Sequence, residues 1–199
     1  FLFCTVVGSG IMGQNLSSND SLTLLANTLA TVFALYFLIT IFGDHSSHFN
    51  PVVSMVMLVR KEITTQVCTV FIILQISGAI LGVMLANYIF ELDPVYFSEK
   101  PRSGTHLFVS EILATFGLLM VILLSSKEKV AVTVAAYIGA AYWFTSSTSF
   151  ANPAGTIGRS FSNTFAGIST NDILHFCVAQ IIGAFLALIV YRTFFESQK

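Results

Sequence analysis

The chain has 199 residues, 55% hydrophobic and only 10% charged, with a mean hydropathy of +0.81 and a formal net charge of −1. A soluble domain carries about 25% charged residues, so this is the composition of a chain buried in a lipid bilayer, and its near-neutral balance gives nucleic acid no electrostatic handle. Cys4, Cys68 and Cys177 lie in apolar stretches without metal-ligand spacing, which argues against a disulfide frame, a metal site or a cofactor held through thiolates.

A helix crossing the hydrocarbon needs about 20 apolar residues. Residues 1–12 are apolar but fall short of that, and the run opens on Phe1 with no Met and no basic leader, as if the first span were entered partway along. Residues 22–42 form the second span, 63–89 the third, 107–124 the fourth, 130–145 the fifth and 173–195 the sixth. Two further apolar segments, 50–59 and 152–168, are too short to cross. Each starts with an Asn-Pro step. Proline fits the first turn of a helix, where its missing N–H is no loss, and asparagine is a favoured N-cap. Both segments therefore read as half-helices that start inside the membrane, which is tolerated only where they face protein or water.

The halves repeat. Gln75-Ile76-Ser77-Gly78-Ala79 matches Gln180-Ile181-Ile182-Gly183-Ala184 at an offset of 105, and the two Asn-Pro steps are 102 residues apart. The chain divides into a first repeat, 1–90, a connector, 91–106, and a second repeat, 107–199, forming a single domain over 1–199. Three spans per half give the halves opposite orientations, with the site at the midplane. Arg60, Lys61, Lys127, Lys129, Arg192 and Lys199 fall on one side, and Lys100, Arg102 and Arg159 on the other. The positive-inside rule then puts both termini in the cytoplasm. Gly78, Ala79, Gly82, Gly183, Ala184 and Ala187 are spaced for close helix packing.

Ser47-His48-Phe49-Asn50-Pro51-Val52-Val53-Ser54 resembles the first signature of the aquaporin (major intrinsic protein) family, and Phe150-Ala151-Asn152-Pro153-Ala154 resembles the second. Gln75, Gln180 and Glu111 also fit. The resemblance covers essentially the whole chain. It implies an all-α membrane protein with six transmembrane helices and two re-entrant half-helices in an inverted repeat. It further implies a homotetramer in a bacterial inner membrane, each protomer carrying water or small uncharged solutes passively, with no enzymatic activity and no cofactor. The pore centre would be Asn50, Pro51, Val52, Asn152, Pro153 and Ala154. Two half-helix N-termini meeting there each contribute about half a positive charge, which disfavours cations, and two amides turn a passing water so that a proton wire is interrupted.

The filter departs from the family pattern. Where water-selective members place an arginine directly after the second Asn-Pro-Ala, this chain has Gly155, with Arg159 one turn later on the same helix face. The remaining filter positions carry over as Ala140, Ser149 and Ala30 or Thr31, the last uncertain by one residue. A ring of small residues implies a wide pore, open to glycerol, urea, ammonia or neutral metalloid acids. Tyr142, Trp143 and Phe144 are an interfacial aromatic belt or a slide for a polyol's carbon chain. The resemblance puts His48 in the vestibule and has Glu111 support the second loop. Two other readings stand beside the channel: a secondary transporter coupled through Glu111, and a structural protein whose pore is plugged by Phe49 or Phe150.

Overall fold

The computed structural model of the chain describes residues 1–196. Lys199, counted above among the basic residues of one face, lies outside the described residues. The order of elements is α1 (Leu2–Leu16), α2 (Asp20–Phe42), α3 (Pro51–Val59), α4 (Thr65–Ile89), α5 (Thr105–Leu124), α6 (Val130–Phe144), α7 (Pro153–Arg159), a 3₁₀ turn (Thr170–Asp172) and α8 (Ile173–Phe194). No strands occur among the described residues, only a parallel bridge between Tyr96 and Ser162.

Helices α2, α4, α5 and α8 are long and apolar enough to cross a membrane, whereas α1 and α6 have 15 residues each. Fifteen residues rise only about 22 Å; these two helices correspond to the first and fifth spans, the shortest of the six read from hydropathy.

Local chemistry sets the helix ends. Asn50 and Asn152 take nearly the same extended geometry, φ −156° and −157°, and each is followed by proline in the first turn. The Asn50 side chain accepts from Val52 N at 3.2 Å, and the Asn152 side chain from Ala154 N at 3.0 Å. An asparagine cap of this kind stabilises a helix by about 1 kcal/mol. Thr64 caps α4 in the same manner through Val67 N.

The halves pack as counterparts. α1 lies on α2 and α4, and α5 on α6 and α8, while α2 packs across to α6. Thr31 meets Tyr142, and Asp44 pairs with Lys127 at 3.0 Å, so α2 and α6 run antiparallel. α3 runs from mid-molecule to the face carrying Asp44 and Lys127. There Arg60 bonds Glu62 and Glu196 at 2.6 and 3.1 Å. α7 runs the opposite way, to the face carrying the connector. Ser98 N donates to Ser160 O at 2.8 Å and Tyr96 N to Phe161 O at 3.1 Å, so the connector lies strapped along the chain that follows α7. Asn87, fully buried, fixes that strap by donating to Pro94 O and Phe161 O.

Small residues admit close crossings, but not at every position in the spacing pattern. Gly183 faces α5: a Cβ there would lie 3.1 Å from Phe116 N and 3.1 Å from the Ile112 carbonyl carbon. Gly158 faces α4, where a Cβ would lie 2.9 Å from the Ala79 carbonyl carbon. Gly78 differs, because a Cβ there meets nothing within 4 Å; it sits on an exposed face of α4 and mediates no crossing within the chain. Overpacking a core costs about 1–3 kcal/mol, and each kcal/mol moves a domain of this size by about 2–4 °C. Gly183→Val is therefore expected to lower the thermal unfolding midpoint in detergent by several degrees, with Gly78→Ala within error of the parent.

Candidate functional site

A continuous cavity runs through the middle of the molecule between α1, α2, α3, α5, α6 and the two re-entrant loops. Towards the Arg60 face it is bordered by Ile39, Met57, Ile122 and Val130, and towards the connector face by Thr31, Tyr142, Ser149 and Arg159. Asn50 and Asn152 border it between the two. The wall is mostly hydrocarbon with a few convergent polar groups, the usual make-up of a small-molecule path.

The two loops are locked to each other. Asn50 Nδ2 donates to Ala151 O at 2.7 Å, and Asn152 Nδ2 donates to Phe49 O at 2.8 Å. The residues that supply these carbonyls, Phe49 and Ala151, both hold left-handed backbone, φ +46° and +47°. That conformation is uncommon for side-chain-bearing residues, and here it occurs at matching places in the two repeats, turning each carbonyl towards the opposite amide. Each amide has two N–H donors. The lock takes one, the side-chain oxygen caps the helix, and the second N–H stays available beside the cavity.

Each half-helix is also pinned from behind. Glu111, fully buried, accepts from Phe150 N through Oε1 and from Ala151 N through Oε2, both at 2.9 Å, and from Gln180 Nε2 at 2.6 Å. Gln180 also donates to Thr156 Oγ1 at 2.9 Å, tying α7 to α8. In the first repeat Gln75 Nε2 donates to Ser54 Oγ at 3.0 Å, tying α3 to α4. His48 Nδ1 meets the same hydroxyl at 3.0 Å, and its ring stands edge-on to Phe71 while bordering the cavity. The pairs Gln75–Ser54 and Gln180–Thr156 are counterparts, which explains why the glutamine motif repeats.

Towards the connector face the polar ring differs from the one counted along the sequence. Of the two candidate positions on α2, Thr31 borders the cavity and Ala30 does not. Ala140 is exposed on the outside of α6 and is not among the residues that border the cavity. The inward stripe of α6 runs Val134, Ile138 and Tyr142, at helical spacing. Position 140 is two residues from Tyr142, or about 200° around the helix, and so points away. Tyr142 is buried and its hydroxyl meets Thr31 Oγ1 at 3.2 Å, whereas Trp143 and Phe144 are about half exposed on the outer face. The aromatic run thus splits into one cavity residue and two lipid-facing ones. The i, i+4, i+8 spacing from Val134 was the signal that could have separated them.

Gly155 is likewise set back from the path. It is buried and does not border the cavity; the ring of Phe3, from α1, lies against it and borders the cavity instead. Arg159 does reach the cavity. It is 4% exposed, its Nε donates to Ala166 O at 2.5 Å, and its guanidinium lies 3.3 Å from the centre of the Phe150 ring. Its two terminal nitrogens take no partner among the described residues and remain free for a solute. Ser149 borders the cavity, but its Oγ is buried and has no partner among the described residues. Thr31, Tyr142, Ser149 and Arg159 thus border the cavity on this side.

Phe150 is the seat of that ring. It packs edge-on against Phe176 at 5.1 Å, and Arg102 also stands over it at 4.7 Å. Arg102 Nε donates to Gly167 O at 2.8 Å, and Lys100 Nζ to Phe165 O at 2.8 Å. Three consecutive carbonyls, 165 to 167, thus receive Lys100, Arg159 and Arg102. Burial, then the neighbouring Arg102 and Arg159 charges, push the Lys100 ammonium down to about 8. No group of three or more potential metal ligands occurs among the described residues.

A family model described as "Major intrinsic protein" matches residues 1–191. Aquaglyceroporin AqpS of Rhizobium meliloti (strain 1021) is 46% identical over 195 residues, covering 96% of this chain and 84% of that protein. Among solved structures, the aquaglyceroporin from Plasmodium falciparum superposes with a TM-score of 0.71 at 18% identity, covering 99% of this chain and 93% of that one, a likeness of fold.

The Glu111 contacts set a mutational order. Each buried donor left without its partner costs about 1–3 kcal/mol. Glu111→Ala strands Phe150 N and Ala151 N and leaves the Gln180 amide with Thr156 alone, and is expected to abolish the folded, monodisperse protein on size exclusion. Glu111→Gln keeps one carbonyl oxygen and should retain folded protein with a lowered unfolding midpoint.

Proposed function

Because the chain belongs to the major intrinsic protein family, we propose that it is a passive membrane channel for water and glycerol-sized neutral solutes, excluding ions and protons at its centre. The observation that carries this reading is the reciprocal lock of Asn50 and Asn152 beside a cavity that runs towards both faces. Half-helix N-termini converge there, each worth about half a positive charge. A cation, stripped of water in an apolar channel, meets that field, and no carboxylate borders the cavity to ligate it. A neutral oxygen accepts from each amide in turn and moves on.

The Thr31–Tyr142–Ser149–Arg159 ring supports a polyol as solute. The free Arg159 nitrogens donate to hydroxyl oxygens, and the Tyr142 ring and Phe150 offer apolar surface to the carbon side. Urea and neutral hydroxy acids share this pairing of acceptor oxygens with a compact body. The 46% identity to an aquaglyceroporin supports the same solute class. A transporter coupled through Glu111 is disfavoured, because both carboxylate oxygens are already committed to loop N–H groups and Gln180. A plugged pore is disfavoured because Phe150 is held aside by Phe176 and the two arginines.

We further infer a homotetramer in a bacterial inner membrane, with the Arg60 face cytoplasmic. The bias of basic residues supports that orientation. Exposed apolar side chains along α2 and α4, such as Phe33, Phe37, Ile73 and Leu81, offer a face for lipid or neighbouring protomers.

Stopped-flow light scattering on proteoliposomes tests the channel reading. Glycerol-driven swelling is expected to exceed that of empty vesicles, to rise linearly with the gradient, and to ignore an imposed pH difference. Glycerol entry at the rate of empty vesicles, or saturable and pH-coupled entry, would overturn it. Arg159→Ala is expected to weaken discrimination among neutral solutes, read as a larger ratio of urea to glycerol permeability.

A further inference from the structure

The wall of the channel beside the first turn of α7 is supplied by a helix that the sequence motifs do not implicate. Gly155 has no side chain, and the Phe3 ring occupies the room one would need. A Cβ at 155 would lie 2.6 Å from Phe3 Cζ and nearer still to Cε1, closer than real Cβ atoms come to any neighbour. The ring is half-buried and borders the cavity together with Asn50, Asn152, Val6 and Arg159. It is backed by a close crossing: a Cβ at Gly82 of α4 would lie 3.2 Å from Cys4 N and 3.8 Å from Phe3 Cβ. The α1 backbone is therefore seated against α4 at this turn, and Asn27 Nδ2 anchors the next turn by donating to Val6 O at 2.6 Å.

We propose that Phe3 is a specificity-determining residue of the channel. Its ring takes the place that a side chain at position 155 would fill and sets the largest solute cross-section that passes between the asparagine pair and the Arg159 ring. It offers no hydrogen bond, so it acts by size and by apolar contact. A solute there has an apolar wall on the α1 side and donors from Asn50, Asn152 and Arg159 elsewhere, which suits a molecule with a carbon chain and a row of hydroxyls. Position 155 and position 3 are then one coupled unit: a side chain at 155 requires the Phe3 ring to swing aside or a smaller residue at 3.

The inference rests on the channel reading, and one swelling experiment separates the two. Parent protein, Phe3→Ala, Phe3→Leu and Phe3→Trp are reconstituted and assayed with glycerol, erythritol and xylitol. Phe3→Ala is expected to raise the xylitol-to-glycerol permeability ratio by about threefold or more, under 1 kcal/mol of barrier, with Phe3→Leu intermediate and Phe3→Trp below the parent. Parent protein that fails to conduct glycerol sinks the channel reading itself. A conducting parent with an unchanged ratio in Phe3→Ala overturns the role of Phe3 alone. If Phe3→Ala does not give monodisperse protein, Phe3→Leu carries the same decision. The coupling has its own readout: Gly155→Ala is expected to cut flux or folded yield, and Phe3→Ala with Gly155→Ala to restore it. Failure of that rescue, with both proteins folded, counts against the coupled unit.

Discussion

Two side-chain amides, each donating across the molecule to the other loop's carbonyl, are what the rest of this structure serves. The Asn50–Ala151 and Asn152–Phe49 bonds join residues 101 and 103 positions apart. They hold two half-helices tip to tip in mid-molecule, where an open backbone end would otherwise be costly. Each element of the lock uses a different property of its residue. Proline supplies a helix start that lacks nothing, asparagine supplies cap and donor together, and the left-handed residue before it aims the carbonyl. The matching φ values of Phe49 and Ala151 show that both repeats reach the same solution with different side chains.

Around that centre the repeats are alike in geometry and unlike in chemistry. Both use a glutamine on the following long helix to hold a hydroxyl on the half-helix. The second repeat adds Glu111, whose two oxygens collect two loop N–H groups and a side-chain amide. The first repeat has His48 on the shared hydroxyl. Asymmetry of this sort gives the channel two different mouths: one with an imidazole among aliphatic side chains, the other with three cations gathered over consecutive carbonyls. Arg159 is the most deeply buried member of that group. Its charge lies on the Phe150 face and against Ala166 O, which satisfies one nitrogen.

Much of this was legible in the chain. Helix starts at Asn50 and Asn152 follow from Asn-Pro chemistry alone, and the glutamine repeat marked the counterpart helices before any coordinate. A buried carboxylate inside an apolar span, Glu111, announced a structural or functional task. The filter was less legible. Counting back from Asn152 assumes a fixed path for residues 145–151, yet that stretch contains left-handed turns at Thr148, Ser149 and Ala151. The count landed on Ala140, whereas the inward stripe of α6 passes through Tyr142. Phe3 was invisible for a different reason: α1 carries no motif, and its contact with Gly155 joins residues from opposite ends of the chain.

The sequence by itself determined the class of molecule, the half-helices and their caps, because these depend on composition and on neighbours within a few residues. Tertiary structure decided which side chains face the path. That choice depends on the rotation of α6, the seating of α1 on α4, and the packing of Phe150 beneath two arginines. A shift of one or two residues in local register turns a helical side chain by 100° or 200°, and only the packed molecule fixes that angle. So the glycine after the second Asn-Pro-Ala, which by sequence pointed to a wide pore, lies instead behind a phenylalanine from the first helix, and the arginine one turn later reaches the cavity.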